Sequence, residues 1–178
     1  TSPLHSDELQ QEINRRALKT LQSYVSACKD YQLNRVFPAE AEVEAEARAE
    51  VRQAEMLLRK YATAVEAQAG TKADVNLLLL SCRLCRTLGG GVAVSCKSAK
   101  DRTSMAITYD QAEILARAHG LPRRYVLPVA NRMRVQGVRR ANCFHNIGKP
   151  LFAFNGLQLQ CLPRIYRPPE HVAGAKKS

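Results

Sequence analysis

Residues 39–69 contain neither glycine nor proline and are built largely from Ala, Glu, Arg, Gln and Leu. The segment opens on the alternation Ala-Glu-Ala-Glu-Val-Glu, which has the period of a strand. Ala and Glu are strong helix formers and are depleted from strands, so residue type overrides period and a long helix ending at Gly70 is expected. The segments on either side follow the same logic. From Ser6 to about Asn34, the residues Leu9, Ile13, Leu18, Leu21, Val25 and Cys28 recur three to five apart, as on one face of an amphipathic helix with Ser6 as its N-cap. Phe37-Pro38 breaks that helix. A third helix is expected from about Ala73 to Leu88, where Leu77 to Leu80, Cys82, Leu84 and Cys85 leave little polar face, so it reads as buried.

Gly89-Gly90-Gly91 stops the helical run, and Val92-Ala93-Val94-Ser95 is a short β-prone stretch leading into Cys96. Asp101 to about His119, closed by Gly120, and Pro122 to Gln136, closed by Gly137, read as two further helices, the second kinked by Pro128. From Val138 the chain turns basic, aromatic and irregular, and Ala173 to Ser178 reads as a solvated tail. The expected organisation is a helical part at 1–70, a core at 71–172 and a disordered tail at 173–178.

Charge narrows the choice of partner. Residues 1–80 hold 10 basic and 12 acidic side chains, whereas residues 96–178 hold 15 basic and 4 acidic, so that half matches the whole formal net charge of +11. Such a segment expects a phosphorylated substrate, an anionic membrane surface or a nucleic acid. The apolar fraction of 46% excludes a wholly disordered chain. The longest uninterrupted apolar run, Leu77 to Leu80, is far short of a membrane span. With no signal-peptide core in the first 30 residues and six irregularly spaced cysteines, a soluble, cytosolic chain with reduced thiols is expected.

The basic half begins at the run Val94-Ser95-Cys96-Lys97-Ser98-Ala99-Lys100-Asp101-Arg102-Thr103-Ser104, with a Cys and an Arg six apart. Cys161 also has an Arg six residues on, Arg167, but Pro163 lies between them and Pro168-Pro169 forbids a following helix, so that match is coincidence. Around Cys96 the context is strand, tight polar loop and helix start. Backbone N–H groups of such a loop converge on a tetrahedral anion, and the helix N-terminus adds positive potential. The same field, with Lys97, Lys100 and Arg102 nearby, lowers the Cys96 pKa and populates the nucleophilic thiolate. Arg102 offers a planar fork for two phosphoryl oxygens, and Thr103 or Ser104 can hydrogen-bond the sulfur.

Cys-Lys-Ser-Ala-Lys-Asp-Arg-Thr at 96–103 resembles the phosphate-binding loop of the inositol polyphosphate 4-phosphatases, within the wider cysteine-based phosphatases. Arg139-Arg140-x-Asn142, Phe152-Ala153-Phe154-Asn155-x-Leu157-Gln158-Leu159 and Tyr166-Arg167-Pro168-Pro169-Glu170 resemble that family's C-terminal blocks. The resemblance implies an α/β, tyrosine-phosphatase-like core, mostly helical in this chain, with a strand-loop-helix phosphate-binding motif. It implies a phosphoinositide phosphatase that removes the 4-phosphate of phosphatidylinositol 3,4-bisphosphate through a phospho-cysteine, without metal or cofactor, peripheral on endosomal or plasma membranes. It also implies a longer parent protein. By the same resemblance Cys96 is the nucleophile and Arg102 the phosphate clamp, Lys97 and Lys100 contact the inositol phosphates, and Ser98, Ala99 and Thr103 are further substrate-binding positions. Asp101 is the candidate general acid, with an alternative in which it pairs with a loop Arg or caps the helix.

Other readings stand beside these. Cys82-x-x-Cys85 is read as core packing, against half a zinc site completed by Cys143-x-His145. Arg123, Arg124, Arg132, Arg134, Arg139 and Arg140 are either a solvated face or a surface for anionic lipid or a second substrate phosphate. His119 reads as a helix C-terminal residue. Competing functions are a dual-specificity or protein phosphatase with the same chemistry and a non-catalytic basic module for acidic membranes or nucleic acid. No nucleic-acid fold signature is present, which places nucleic acid last.

Overall fold

The computed structural model describes residues 3–33, 41–67, 76–96 and 98–174. The expected break at Phe37-Pro38, the stop at Gly70, Lys97 and the tail from residue 175 lie outside the described residues. Among those described, the α-helices are α1 (Pro3–Leu33), α2 (Ala41–Ala67), α3 (Asn76–Thr87), α4 (Asp101–Ala118), α5 (Val126–Gln136), α6 (Val138–Ile147) and α7 (Gly156–Cys161). Short 3₁₀ turns occupy Arg123–Tyr125, Arg164–Tyr166 and Glu170–Val172.

The α/β expectation is overturned. No strand forms among the described residues, and the Val92–Ser95 run has no regular secondary structure. Its Val residues suit a pleated, half-buried surface, but that preference makes a strand only where a neighbour takes up the backbone N–H and C=O groups. The β-pairing present is one isolated bridge between Phe152 and Ala173, in which the Phe152 N–H donates to Val172 O at 2.8 Å and the Gly174 N–H to Phe152 O at 3.0 Å.

The chain divides into two compact units, Thr1–Val92 and Ala93–Ser178. In the first, α2 packs against both α1 and α3. Leu18, Tyr61, Val65 and Leu77 form one buried cluster, and Val25, Ala54, Leu57 and Leu84 another, with Leu21, Leu58 and Leu80 packed against both. These positions recur at three- and four-residue intervals, so each helix presents one stripe. Burial pushes the Tyr61 phenol up, with a smaller push from Cys85. The stripe expected on α1 begins later than its sequence pattern: Leu9 and Ile13 are 62% and 50% exposed. Ser6 is not an N-cap, because α1 already begins at Pro3.

In the second unit α4 packs against α5 through Ala112, Val126 and Ala130, with Tyr109, Ala116 and Val129 around them. Small residues at the contact let the two helices approach closely. Arg134, read from sequence as one of a basic surface set, is completely buried. Its Nε donates to the Thr108 hydroxyl at 2.9 Å, Nη1 to Asn131 Oδ1 at 2.9 Å and Arg167 O at 3.0 Å, and Nη2 to Met105 O at 3.0 Å and Ile165 O at 2.6 Å. No carboxylate is among these partners, and burial lowers its pKa to about 10.

Pro128 is the third residue of α5, inside the first turn, where its missing N–H has no intrahelical acceptor; the helix starts around it instead of kinking. The stretch after Val138, expected to be irregular, forms α6 and α7. Gly137 joins α5 to α6 so tightly that a Cβ there would lie 2.4 Å from the Met133 carbonyl oxygen. Gly148 closes α6 in the left-handed region at φ 68°, where glycine carries no steric cost. Asn155 and Gln158 form a reciprocal capping box on α7.

Replacing Arg134 with Met keeps the length of the side chain and removes its donors. The buried carbonyls of Met105 and Ile165 then lose a partner, and a loss of stability of at least about 3 kcal/mol is expected, measured by chemical denaturation of wild-type and R134M protein.

Candidate functional site

Cys96 follows the Val92–Ser95 run, and the chain turns through Ser98, Ala99 and Lys100 into α4, with the Ala99 N–H donating back to Cys96 O at 3.2 Å. Ala99 sits at φ 50°, a left-handed conformation that costs a residue with a Cβ roughly 1–2 kcal/mol. Asn142 on α6 holds this turn: its Nδ2 donates to Ala99 O at 3.2 Å. Asn142 was visible in sequence only as part of the Arg-Arg-x-Asn block, with no role attached.

Burial pushes the Cys96 thiol up, but the Thr103 hydroxyl and the backbone N–H groups of Thr103, Ser98 and Ala99 together outweigh it and hold the thiol below its ordinary value. The Thr103 hydroxyl is buried beside the sulfur and takes no other hydrogen-bond partner. Three of the expected substrate-binding positions, Ser98, Ala99 and Thr103, thus converge on the Cys96 sulfur.

A cleft of about 430 Å³ opens beside the sulfur. Cys96, Ser98, Asp101 and Arg102 line one side, with Ala153, Phe154 and Gln158 from the C-terminal segment completing the wall. Arg102 is exposed. Sequence reading did not single out Ala153, Phe154 or Gln158 as site residues, although they lie in the Phe-Ala-Phe-Asn block.

Lys100, expected to contact the inositol phosphates, and Asp101, expected as a general acid, are paired with each other. Lys100 is 0% exposed, and its Nζ donates to both carboxylate oxygens of Asp101 at 2.6 and 2.7 Å. The Ala153 N–H donates to Asp101 Oδ1 at 2.8 Å. The Ser104 hydroxyl donates to the Lys100 carbonyl. Lys97 lies outside the described residues.

The remaining basic residues divide. Arg123 holds both oxygens of Glu113 at 3.1 Å, and Arg140 donates to Pro150 O at 3.1 Å and Val135 O at 3.2 Å. Arg124 lies over the Tyr125 ring, 4.9 Å from its centroid, and Arg132 is exposed. Arg139 and His119 line a separate cleft of about 500 Å³ that contains no cysteine and is otherwise formed largely by apolar residues such as Ile114, Leu115, Met133 and Val138. His119 is the C-cap of α4, its N–H donating to Leu115 O. Cys82 is buried on α3, and Cys143 is completely buried on α6, where burial pushes its thiol up to about 11. Among the described residues no helix is long and apolar enough to cross a membrane.

Comparison with known proteins adds to this geometry. The family model described as the INPP4A C-terminal domain matches residues 5–166. The chain is similar to the type II inositol 3,4-bisphosphate 4-phosphatase of Rattus norvegicus, 41% identical over 107 residues, and to the inositol polyphosphate 4-phosphatase type II of Homo sapiens, 40% identical over 107 residues. Each match covers 60% of this chain and 12% of the relative. The phosphatidylinositol 3,4,5-trisphosphate-dependent Rac exchanger 2 protein of Homo sapiens is 37% identical over 111 residues, which cover 62% of this chain and 7% of that protein. The matched region therefore spans only a small part of the length of these relatives.

The Cys96 environment makes a direct test possible. Alkylation of Cys96, followed by peptide mapping across pH, is expected to show its inflection below the roughly 8.5 of a free thiol. Thr103→Val removes the hydroxyl and is expected to move that inflection upward. An unchanged inflection would mean that Thr103 does not act on the sulfur.

Proposed function

From the premise that this chain belongs to the family of the INPP4A C-terminal domain, we infer that it is a catalytic portion of a phosphoinositide phosphatase acting on the 4-phosphate of phosphatidylinositol 3,4-bisphosphate. The observation that carries this reading is the Cys96 thiol, held below its ordinary value by a hydroxyl and three backbone N–H groups, beside a cleft that also presents Arg102. In the proposed reaction the Cys96 thiolate attacks phosphorus. An S–P bond forms, the P–O bond to the inositol ring breaks, and the leaving oxygen takes up a proton. Water then attacks the phospho-cysteine, the S–P bond breaks, and inorganic phosphate and the thiolate are released. Arg102 and the loop N–H groups stabilise charge on the transferring phosphoryl oxygens. The names of the two 4-phosphatases support the substrate assignment. The basic half supports approach to an anionic membrane surface, and the proposed location is peripheral, on phosphoinositide-containing membranes.

A second reading is favoured by one observation: a protein named as a Rac exchanger carries a segment 37% identical to this chain. In that reading the domain is a non-catalytic module whose loop binds phosphate. Phosphate release from phosphatidylinositol 3,4-bisphosphate, measured for the wild-type chain and for Cys96→Ser with folding checked by circular dichroism, separates the two. Release of the 4-phosphate alone, abolished by C96S, is the expected result. A folded wild-type chain that binds the lipid headgroup but releases nothing, with binding unaffected by C96S, would establish the module instead.

A further inference from the structure

We propose that Asp101 is a positioning residue, the acceptor half of a buried Lys100–Asp101 clasp that ties the phosphate loop to the far wall of the cleft, and that Lys100 is committed to this clasp instead of to a substrate phosphate. The proposal rests on the reading that the loop hydrolyses phosphate esters, and it changes what two of its residues do there.

Both oxygens of the carboxylate already accept hydrogen bonds. Oδ1 and Oδ2 accept from Lys100 Nζ at 2.6 and 2.7 Å, and Oδ1 also accepts the Ala153 N–H at 2.8 Å. A general acid has to carry a proton on one of those oxygens and aim it at the leaving group. A proton on either oxygen would weaken it as an acceptor of the bonds it already takes and would remove the counter-charge of an ammonium that has no exposure to solvent. Lys100 is bound by the same constraint from the other side. Its ammonium can meet a headgroup phosphate only by leaving the pair, which strands the Asp101 carboxylate where it is 8% exposed. Lys100 is absent from the cleft wall, whereas Asp101 and Ala153 are both part of it.

The arrangement assigns the clasp a geometric task. Ala153 and Phe154 line the same cleft as Cys96 and Arg102, and the 2.8 Å bond from the Ala153 N–H ties that segment to Asp101 at the start of α4. Of the described loop cations, Arg102 is then the one offered to substrate, together with the backbone N–H groups. The proton for the leaving inositol oxygen then comes from a donor other than Asp101.

Four proteins test this: wild type, Lys100→Met, Asp101→Asn and the double variant, each assayed for phosphate release from phosphatidylinositol 3,4-bisphosphate and from p-nitrophenyl phosphate, with melting temperature recorded alongside. p-Nitrophenolate departs without protonation, so it does not need a general acid. The clasp predicts that D101N loses the same fold of activity on both esters, that each single variant melts lower than wild type, and that the double variant, which buries no unpaired charge, recovers part of both losses. The proposal is overturned if D101N spares p-nitrophenyl phosphate while losing the roughly 10²–10⁴-fold typical of a missing general acid on the inositol lipid. It is equally overturned if K100M raises KM for the lipid without moving the melting temperature. Should the wild type turn over neither ester, the phosphatase reading fails by itself; recovery of melting temperature in the double variant would still uphold the clasp, and additive losses would sink it.

Discussion

The second unit is organised around a guanidinium that has been taken completely out of water. Arg134 reaches back from α5 to the Met105 carbonyl and the Thr108 hydroxyl on α4, and across to the carbonyls of Ile165 and Arg167. Because Arg stays protonated in proteins, this charge cannot escape its desolvation by neutralising, and it has to be met by oriented oxygen atoms. Five hydrogen bonds to three separate stretches of chain therefore fix those stretches together. Met105 lies one turn into α4, and the start of that helix carries Lys100, Asp101, Arg102 and Thr103. The placement of the cleft thus depends on a residue that never touches it.

The same accounting reduces the charge that a ligand can meet. Fifteen basic side chains stand between residues 96 and 178, yet the described ones divide into internal and external sets. Arg134 and Lys100 are buried with internal partners, Arg123 holds Glu113, and Arg140 and Arg167 donate to backbone carbonyls. Net charge measures long-range attraction, which these residues still supply. In the proposed phosphatase reading, short-range recognition at the loop falls to Arg102 and to the N–H groups directed at the Cys96 sulfur. Attraction and recognition are carried by different residues, although the sequence presents them as one continuous basic segment.

This division explains which parts were legible in sequence. The three N-terminal helices could be read because Ala, Glu and Leu state their preference locally, and the ends of α4 and α5 because Gly120 and Gly137 mark them. The strand at Val92–Ser95 was misread because strand formation depends on a partner that local residue type does not encode. α6 was missed because Arg139, Arg140, Asn142 and His145 obscure its apolar spacing. The spacing of Cys96 and Arg102 before a helix start is visible in the sequence, and the structure puts both on one cleft. The pairing of Lys100 with Asp101 was not legible there, since neighbouring charges in sequence ordinarily point apart, and only the turn at Ala99, with Lys100 at the helix N-cap, lets the two meet. Nothing in the sequence separates buried Arg134 from exposed Arg132 two residues earlier.

A phosphate loop needs its N–H groups fixed before the anion arrives, because ordering them on binding would cost the affinity they supply. Here the run before Cys96 has no ladder to fix it, so the order has to come from the C-terminal side. Three contacts provide it. Asn142 takes the Ala99 carbonyl and holds the one left-handed non-glycine turn among the described residues, Ser104 takes the Lys100 carbonyl, and Asp101 takes the Ala153 N–H. Each removes a backbone or side-chain group that would otherwise compete for the N–H groups facing the sulfur. The Thr103 hydroxyl, which takes no other partner, is what remains after these bonds are made, a donor left beside the atom whose charge changes. These three contacts hold the turn at Ala99 and the start of α4 although no sheet forms behind Cys96 among the described residues.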